Sequence, residues 1–460
     1  MGKILLKTMF LGMLITLGVY QTGTLWFDTM SSHSVFYDGE EKDSLPRAAA
    51  SLEAVSLVSP QYIALYFADG NREFAVLARD GGTREIFTDS LRILREGFRQ
   101  GSGLDQVPLE QVWSQRGIFV KLSFPLLLEQ MYGELGVPAP VNLSKAGIDQ
   151  VVVCPALELQ DNRVDIYFLS DAQEEALHLS VDKAQVREDN LRLGQAMERE
   201  GAREHVVHIS SRKEGIPYFS GDVLLPVTTE NILYRERFPL EKRLLDAKGA
   251  LDVGAVEGFV NPFFVNRDTK RRLDGDGLVQ FYDEQVQTAY GTNGVFQYTN
   301  LGVGEGGGGI SVSAALLAAN RFLDRDGLLE RQEHYLENYE IQEQQVTFYY
   351  RYGFGGTPLV LGTDFQIREG MEYPMEVTVR NGVVKSYRRL LLQEGKADQD
   401  RIRLSYSFEE VLDRFLGGEP GREWKVQDLY LAYHWDGAAP AAQIRWVVDT
   451  GQENHVMPLE

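Results

Sequence analysis

The twenty residues from Thr8 to Phe27 (TMFLGMLITLGVYQTGTLWF) carry no charged side chain. As a helix rising about 1.5 Å per residue, such a run reaches about 30 Å, the hydrocarbon thickness of a bilayer. Lys3 and Lys7 precede it and Asp28 follows. That asymmetry of positive charge predicts a cytoplasmic N-terminus and an extracytoplasmic remainder. Tyr20 and Trp26 fall where an outer aromatic belt belongs. A cleaved signal peptide competes with this reading, but Leu17-Gly18-Val19-Tyr20-Gln21-Thr22 lacks the small-x-small pattern that precedes a cut. A buried helix of a soluble protein is the third alternative. No cysteine follows the run to accept a lipid, and no second uncharged stretch of comparable length occurs. The expectation is a retained anchor in a single-pass membrane protein, residues 1–30. Thr8, Gly12 and Thr16 recur every four residues along it. They form a small-residue stripe of the kind that lets two membrane helices pack closely.

The rest of the chain is long enough for several cores. The full chain has 460 residues, 43% of them hydrophobic and 11% aromatic, which excludes disorder as the main state. Acidic side chains number 67 against 46 basic ones, a formal charge of −21. The longest basic run is Lys270-Arg271-Arg272, so no basic face for nucleic acid is expected. The one cysteine, Cys154, excludes an internal disulfide framework and a cysteine zinc cluster.

Hydrophobic periodicity then divides the exterior. Residues 31–50 are small and polar and read as a tether. Tyr62–Ala68 and Glu73–Ala78 flank Asp69-Gly70-Asn71, a hairpin signal. Thr88–Arg99 has helical spacing, Ile118–Phe124 reads as a strand and Leu126–Leu135 as a helix. A first α+β domain is placed at 31–150.

Beyond it the pattern suggests duplication. In both copies an alternating strand (His205–Ser211; Val346–Tyr352) runs into a Gly-x-Pro turn, Gly215-Ile216-Pro217 or Gly356-Thr357-Pro358. A short apolar strand and an acidic residue follow, Asp222 or Asp364. Helices are expected at Asp182–Glu200, Pro239–Lys248, Ser313–Leu323 and Phe408–Leu416, and strands at Val164–Leu169, Leu278–Tyr282, Val295–Thr299, Lys425–His434 and Gln443–Val448. This predicts a middle domain at 151–300 and a similar last domain at 301–460, each an antiparallel sheet covered by helices.

No catalytic, cofactor-binding or metal site is expected. Gly302-Val303-Gly304-Glu305-Gly306-Gly307 matches G-x-G-x-x-G only formally, because the segment after the following helix, Tyr335–Glu343, is polar and carries no nucleotide-binding strand. Asp324-Arg325-Asp326-Gly327 resembles part of a calcium loop, but Phe322 occupies the first ligand position. Asp274-Gly275-Asp276-Gly277 reads as a hairpin turn. His205 and His208 stand three apart on a strand and therefore face opposite ways.

The N-terminal anchor followed by Leu25-Trp26-Phe27, the segment Phe259-Val260-Asn261-Pro262-Phe263-Phe264, and the stretch Gly294-Val295-Phe296-Gln297-Tyr298-Thr299-Asn300 resemble the YycH group of Gram-positive bacteria. Tyr349-Tyr350-Arg351-Tyr352, Gly356-Thr357-Pro358-Leu359-Val360 and Gly382-Val383-Val384-Lys385-Ser386-Tyr387-Arg388-Arg389 are similar to the last domain that YycH shares with YycI. The resemblance implies a three-domain exterior and a non-catalytic accessory role in a two-component system that senses the cell wall. Its implied partners are a sensor histidine kinase of the WalK type and a YycI-like protein, met partly through spanning helices. The alternatives are an extracytoplasmic cell-wall hydrolase, which needs a cleft carboxylate raised by burial, and a surface ligand-binding protein.

Overall fold

A computed structural model of the chain describes residues 57–459 apart from 68–73, 78–80, 101–103, 141–142, 144, 146, 159–160, 172, 203–205, 228–233, 305–310, 330–332, 396–400, 404–405 and 419–423. The expected anchor, with Thr8, Gly12 and Thr16, and most of the glycine-rich loop lie outside the described residues. Among those described, no helix is long and apolar enough to cross a membrane.

The architecture is α+β, with two large, mainly antiparallel sheets and few helices. Nine strands form the first sheet, in the spatial order that begins at Asp105, Glu175, Arg163, Gly147, Gly117, Pro60, Phe74, Val207 and Leu224. The expected hairpin is present, pairing Pro60–Tyr66 with Phe74–Val76. The helix Gly81–Gln100 lays Leu91, Leu94 and Phe98 on one face of this sheet, where Phe98 stacks on Tyr132 at 3.7 Å between ring centroids. A side chain at Gly97 would meet Leu179 at 2.8 Å and Val181 at 2.9 Å, so glycine there sets how closely the helix approaches the strands. The helix Arg187–Gly201 packs beside it, and Arg192 clamps Asp89 across the pair with two 2.9 Å bonds.

The second sheet has 14 strands. Its spatial order begins at Arg271, Leu278, Val286, Val295, Val383, Met375, Gln345, Thr357, Asp428, Ala441, Arg237 and Leu392. The strand His334–Gln342 pairs with Gln345–Phe354, and Asn454–Met457 pairs with Ala441–Asp449. Within it only Thr357–Leu361 and Asp428–Trp435 run parallel.

The expected domain borders do not fall between sheets. Residue 150 lies inside the strand Gly147–Cys154, paired on both sides. Residue 300 ends the strand Val295–Asn300, which is hydrogen-bonded to Val383–Leu390 of the last segment. The expected helix Pro239–Lys248 is instead the strand Arg237–Lys242, burying Phe238 and Leu240 while Arg237 and Glu241 face out. Pairing with Ala441–Gln443 on one side and Leu392–Glu394 on the other overrides the helix preference of Glu-Lys-Arg-Leu-Leu. The two Gly-x-Pro turns also differ. Gly356-Thr357-Pro358 opens the strand Thr357–Leu361, whereas Gly215-Ile216-Pro217 stays in a turn and leads to a single bridge between Phe219 and Val426.

The core of the large sheet is organised around a buried charge. Arg389 and Asp326 are 0% and 1% exposed and form an ion pair. Tyr387 donates its hydroxyl to the same Asp326 oxygen at 2.8 Å, and Arg389 Nε donates to the Tyr352 hydroxyl at 2.9 Å. Tyr352 in turn donates to the Leu390 carbonyl at 2.9 Å. Asp326 follows the helix Val312–Leu323, so this network ties the helix end to three strand residues beneath it. The Asp-Arg-Asp-Gly motif thus supplies a structural counterion. Removing one partner leaves the other charged and desolvated. Asp326→Ala is expected to lower the stability to urea by about 3–5 kcal/mol, and the double change Asp326→Leu with Arg389→Met by clearly less. A single variant as stable as the parent would contradict this.

Candidate functional site

The face of the large sheet opposite the Arg389 network is polar and half-exposed. Along one row Asn338 stands opposite Tyr349, Tyr349 opposite Glu376, and Glu376 opposite Arg388. Such direct neighbours have Cβ atoms about 5 Å apart. The helix Thr363–Glu369 rises beside this row and ends on Gly370, whose φ of 60° is left-handed. That cap reverses the chain, so that Met371 is buried while Glu372 and Tyr373 come to line the row.

An open groove of about 630 Å³ results, lined by residues of the three strands His334–Gln342, Gln345–Phe354 and Met375–Arg380, the helix and its cap. Its walls carry Tyr339, Tyr349 and Tyr373 together with Glu340, Glu372 and Glu376. Tyr349 and Tyr373 face each other at 5.0 Å between ring centroids. Ile367 stands at the rim, 77% exposed. The Tyr349 hydroxyl donates to Glu340 at 3.1 Å. Burial, with the Glu340 carboxylate beside it, pushes the Tyr349 phenol up to about 12.

The cations nearby are already engaged. Arg351 is 6% exposed, holds Glu337 at 2.9 Å and lies 5.7 Å from the centre of the Tyr373 ring. Arg388 donates to the Gly370 carbonyl at 2.7 Å and to the Glu369 carbonyl, and stands 3.6 Å from Glu376. Desolvation therefore outweighs Arg388, and the Glu376 carboxyl is pushed up to about 7.

Other titratable groups are locked in place. Asp222 is 3% exposed; its carboxylate accepts the Ser210 hydroxyl at 2.6 Å, and its amide donates to Asp171 at 3.0 Å. Asp171 takes the Lys121 ammonium at 2.9 Å. Asp364, its counterpart in the expected duplication, is exposed in the first turn of a helix. Asp428, half-buried, accepts from Gln61 of the first sheet at 3.1 Å, and burial together with Asp449 pushes it up to about 7. His208 bonds its own neighbourhood, the Val206 carbonyl at 2.8 Å, and burial lowers it to about 4. His205, Thr8, Gly12 and Thr16 are outside the described residues. Among the described residues no group of three or more His, Cys, Asp or Glu side chains is arranged to hold a metal.

None of the groove residues was a candidate from the sequence, because they come from three separated segments. The interleaved tyrosines and glutamates of Tyr335–Glu343 and Tyr349 are the only local sign of it.

The sign of the Glu376 effect on stability follows from its raised pKa. An unfolded glutamate ionises near pH 4.3, whereas this one holds its proton to about 7. The fold is therefore unpenalised below about pH 4, loses stability as pH rises between those values, and stays reduced above them. Glu376→Gln should match the parent at pH 4 and exceed it by up to about 3 kcal/mol at pH 8 in urea titrations. Equal differences at both pH values would contradict a protonated Glu376.

No protein-family model matches the sequence, and no curated protein matches it. Among solved structures, YycH from Bacillus subtilis overlaps it with a TM-score of 0.54 at 12% identity, covering 89% of this chain and 97% of that one. An uncharacterized protein from Eubacterium rectale overlaps with a TM-score of 0.32 at 10% identity, over 51% of this chain and 85% of that one. The chain thus has a YycH-like fold.

Proposed function

We propose that the chain is a non-catalytic, membrane-anchored regulator of a WalK-type sensor histidine kinase in a two-component system controlling cell-wall metabolism. The observation that supports it is the overlap in fold with YycH, over 89% of this chain and 97% of that one, where the sequence resemblance rested on short motifs. In this reading residues 8–27 span the membrane, with the N-terminus cytoplasmic and the bulk outside. Thr8, Gly12 and Thr16 pack against a partner helix, and the exterior meets a YycI-like subunit. Regulation then needs only a contact that differs between kinase states, a coupling of about 1–3 kcal/mol.

The test is recovery of the kinase from detergent-solubilised membranes by the tagged full-length chain. Recovery should be lost when residues 1–27 are deleted and weakened when Thr8, Gly12 and Thr16 all become leucine, with the exterior still folded. Undiminished recovery by the triple variant would remove the helix from the mechanism.

One observation favours a second reading, hydrolysis of a wall glycan. Glu376 stands in an open groove with its carboxyl pushed up to about 7, as a general acid requires. Release of reducing sugar from purified peptidoglycan, abolished by Glu376→Gln, would establish it in place of the first.

A further inference from the structure

We propose that the tyrosine- and glutamate-lined groove beside the helix Thr363–Glu369 is a receptor for an extended peptide segment of a protein partner that presents an arginine side chain. The inference rests on the reading above that this exterior works by docking proteins, and it names the chemistry of one docking site.

Five observations carry it. The groove is a cavity of about 630 Å³, a size that accepts one or two side chains of a peptide. It holds more carboxylates than free cations. Glu372 meets no hydrogen bond or ion pair among the described residues, and Glu376 has only Arg388 at 3.6 Å, itself held by the carbonyls of Glu369 and Gly370. Arg351, the other nearby guanidinium, is paired with Glu337. An entering cation completes this arrangement without displacing an existing pair.

The aromatic walls then select the kind of cation. Tyr349 and Tyr373 present tilted rings 5.0 Å apart, and a guanidinium stacks on a tyrosine face while donating in its own plane to carboxylates. The Arg351 guanidinium already lies over the Tyr373 ring, 5.7 Å from its centre. At the mouth, Ile367 offers an apolar surface, 77% exposed, for the aliphatic stem of the incoming residue. A small inorganic ion has no use for these rings or for Ile367. The overall charge of −21 adds long-range attraction for a basic segment.

The probe is a capped nine-residue peptide, Gly-Ser repeats around two central arginines, titrated by fluorescence anisotropy against the full chain in detergent micelles. A second peptide replaces both arginines by citrulline, which keeps the shape and removes the charge. Saturable binding of the arginine peptide is expected, at least tenfold tighter than the citrulline peptide and weakening as salt rises. The paired change Glu372→Gln with Glu376→Gln should weaken it at least tenfold. The paired change Asp274→Asn with Asp276→Asn, in the hairpin formed by Arg271–Gly275 and Leu278–Tyr282, should leave it unchanged. Tyr349→Phe should retain most of the affinity, since the ring persists. Unaltered near-ultraviolet circular dichroism establishes that each variant is folded.

Equal affinity for the two peptides overturns the proposal. So does an equal loss from the groove pair and the hairpin pair, which would mean attraction to an acidic surface at large. Kinase recovery by the full-length chain is read in parallel. Kinase recovered without peptide selectivity sinks the groove and spares the regulator; peptide selectivity without kinase does the reverse.

Discussion

Arg389 is the constraint on which the larger half of this molecule is arranged. A guanidinium with no solvent exposure is tolerable only if an opposite charge and enough acceptors reach it. Asp326 and the Leu328 carbonyl, from the turn after one helix, and the Tyr352 hydroxyl, from a distant strand, meet that demand. The ring of Tyr387, whose hydroxyl shares Asp326, packs against Phe296 and Phe322, and Phe263 joins Phe322 to Tyr298. Because the partners come from different elements, the network specifies one placement of the helix Val312–Leu323 on the sheet.

The same strand determines the other side. Successive residues of a strand point to opposite faces, so Arg389 enters the core while Arg388 next to it belongs to the open face. There it caps the end of the helix Thr363–Glu369 through two carbonyls. Its engagement with the backbone leaves Glu376 short of a counterion, and that shortage gives the groove its electrostatic character. The buried network and the exposed groove are thus two consequences of adjacent arginines on one strand.

Much of the local structure was legible in the residues. Alternation located Gln345–Phe354, Asp428–Trp435 and Ala441–Asp449, and helical spacing located Gly81–Gln100 and Phe408–Gly418. The failures share one cause. Arg237–Lys242 has residues that suit a helix, and only its two distant strand partners make it extended. The borders expected at 150 and 300 followed the prolines Pro138 and Pro140 and an apparent duplication along the chain, whereas sheet continuity is decided by pairing across it. The groove went unseen because Glu340, Glu372 and Glu376 become neighbours only through the pairing of Gln345–Phe354 with strands on both sides and through the left-handed cap at Gly370.

The sequence alone determined what depends on short-range chemistry. An uncharged segment long enough for a bilayer, an acidic net charge, one cysteine and the alternation of strands such as Gln345–Phe354 are properties of consecutive residues. Tertiary structure alone decided which aspartate of Asp324-Arg325-Asp326-Gly327 is buried, which of two adjacent arginines is a strut in the core and which caps the helix beside the groove, and where carboxylates outnumber the free cations. Those outcomes depend on desolvation and on charges brought together from far along the chain, and neither is a function of sequence neighbours.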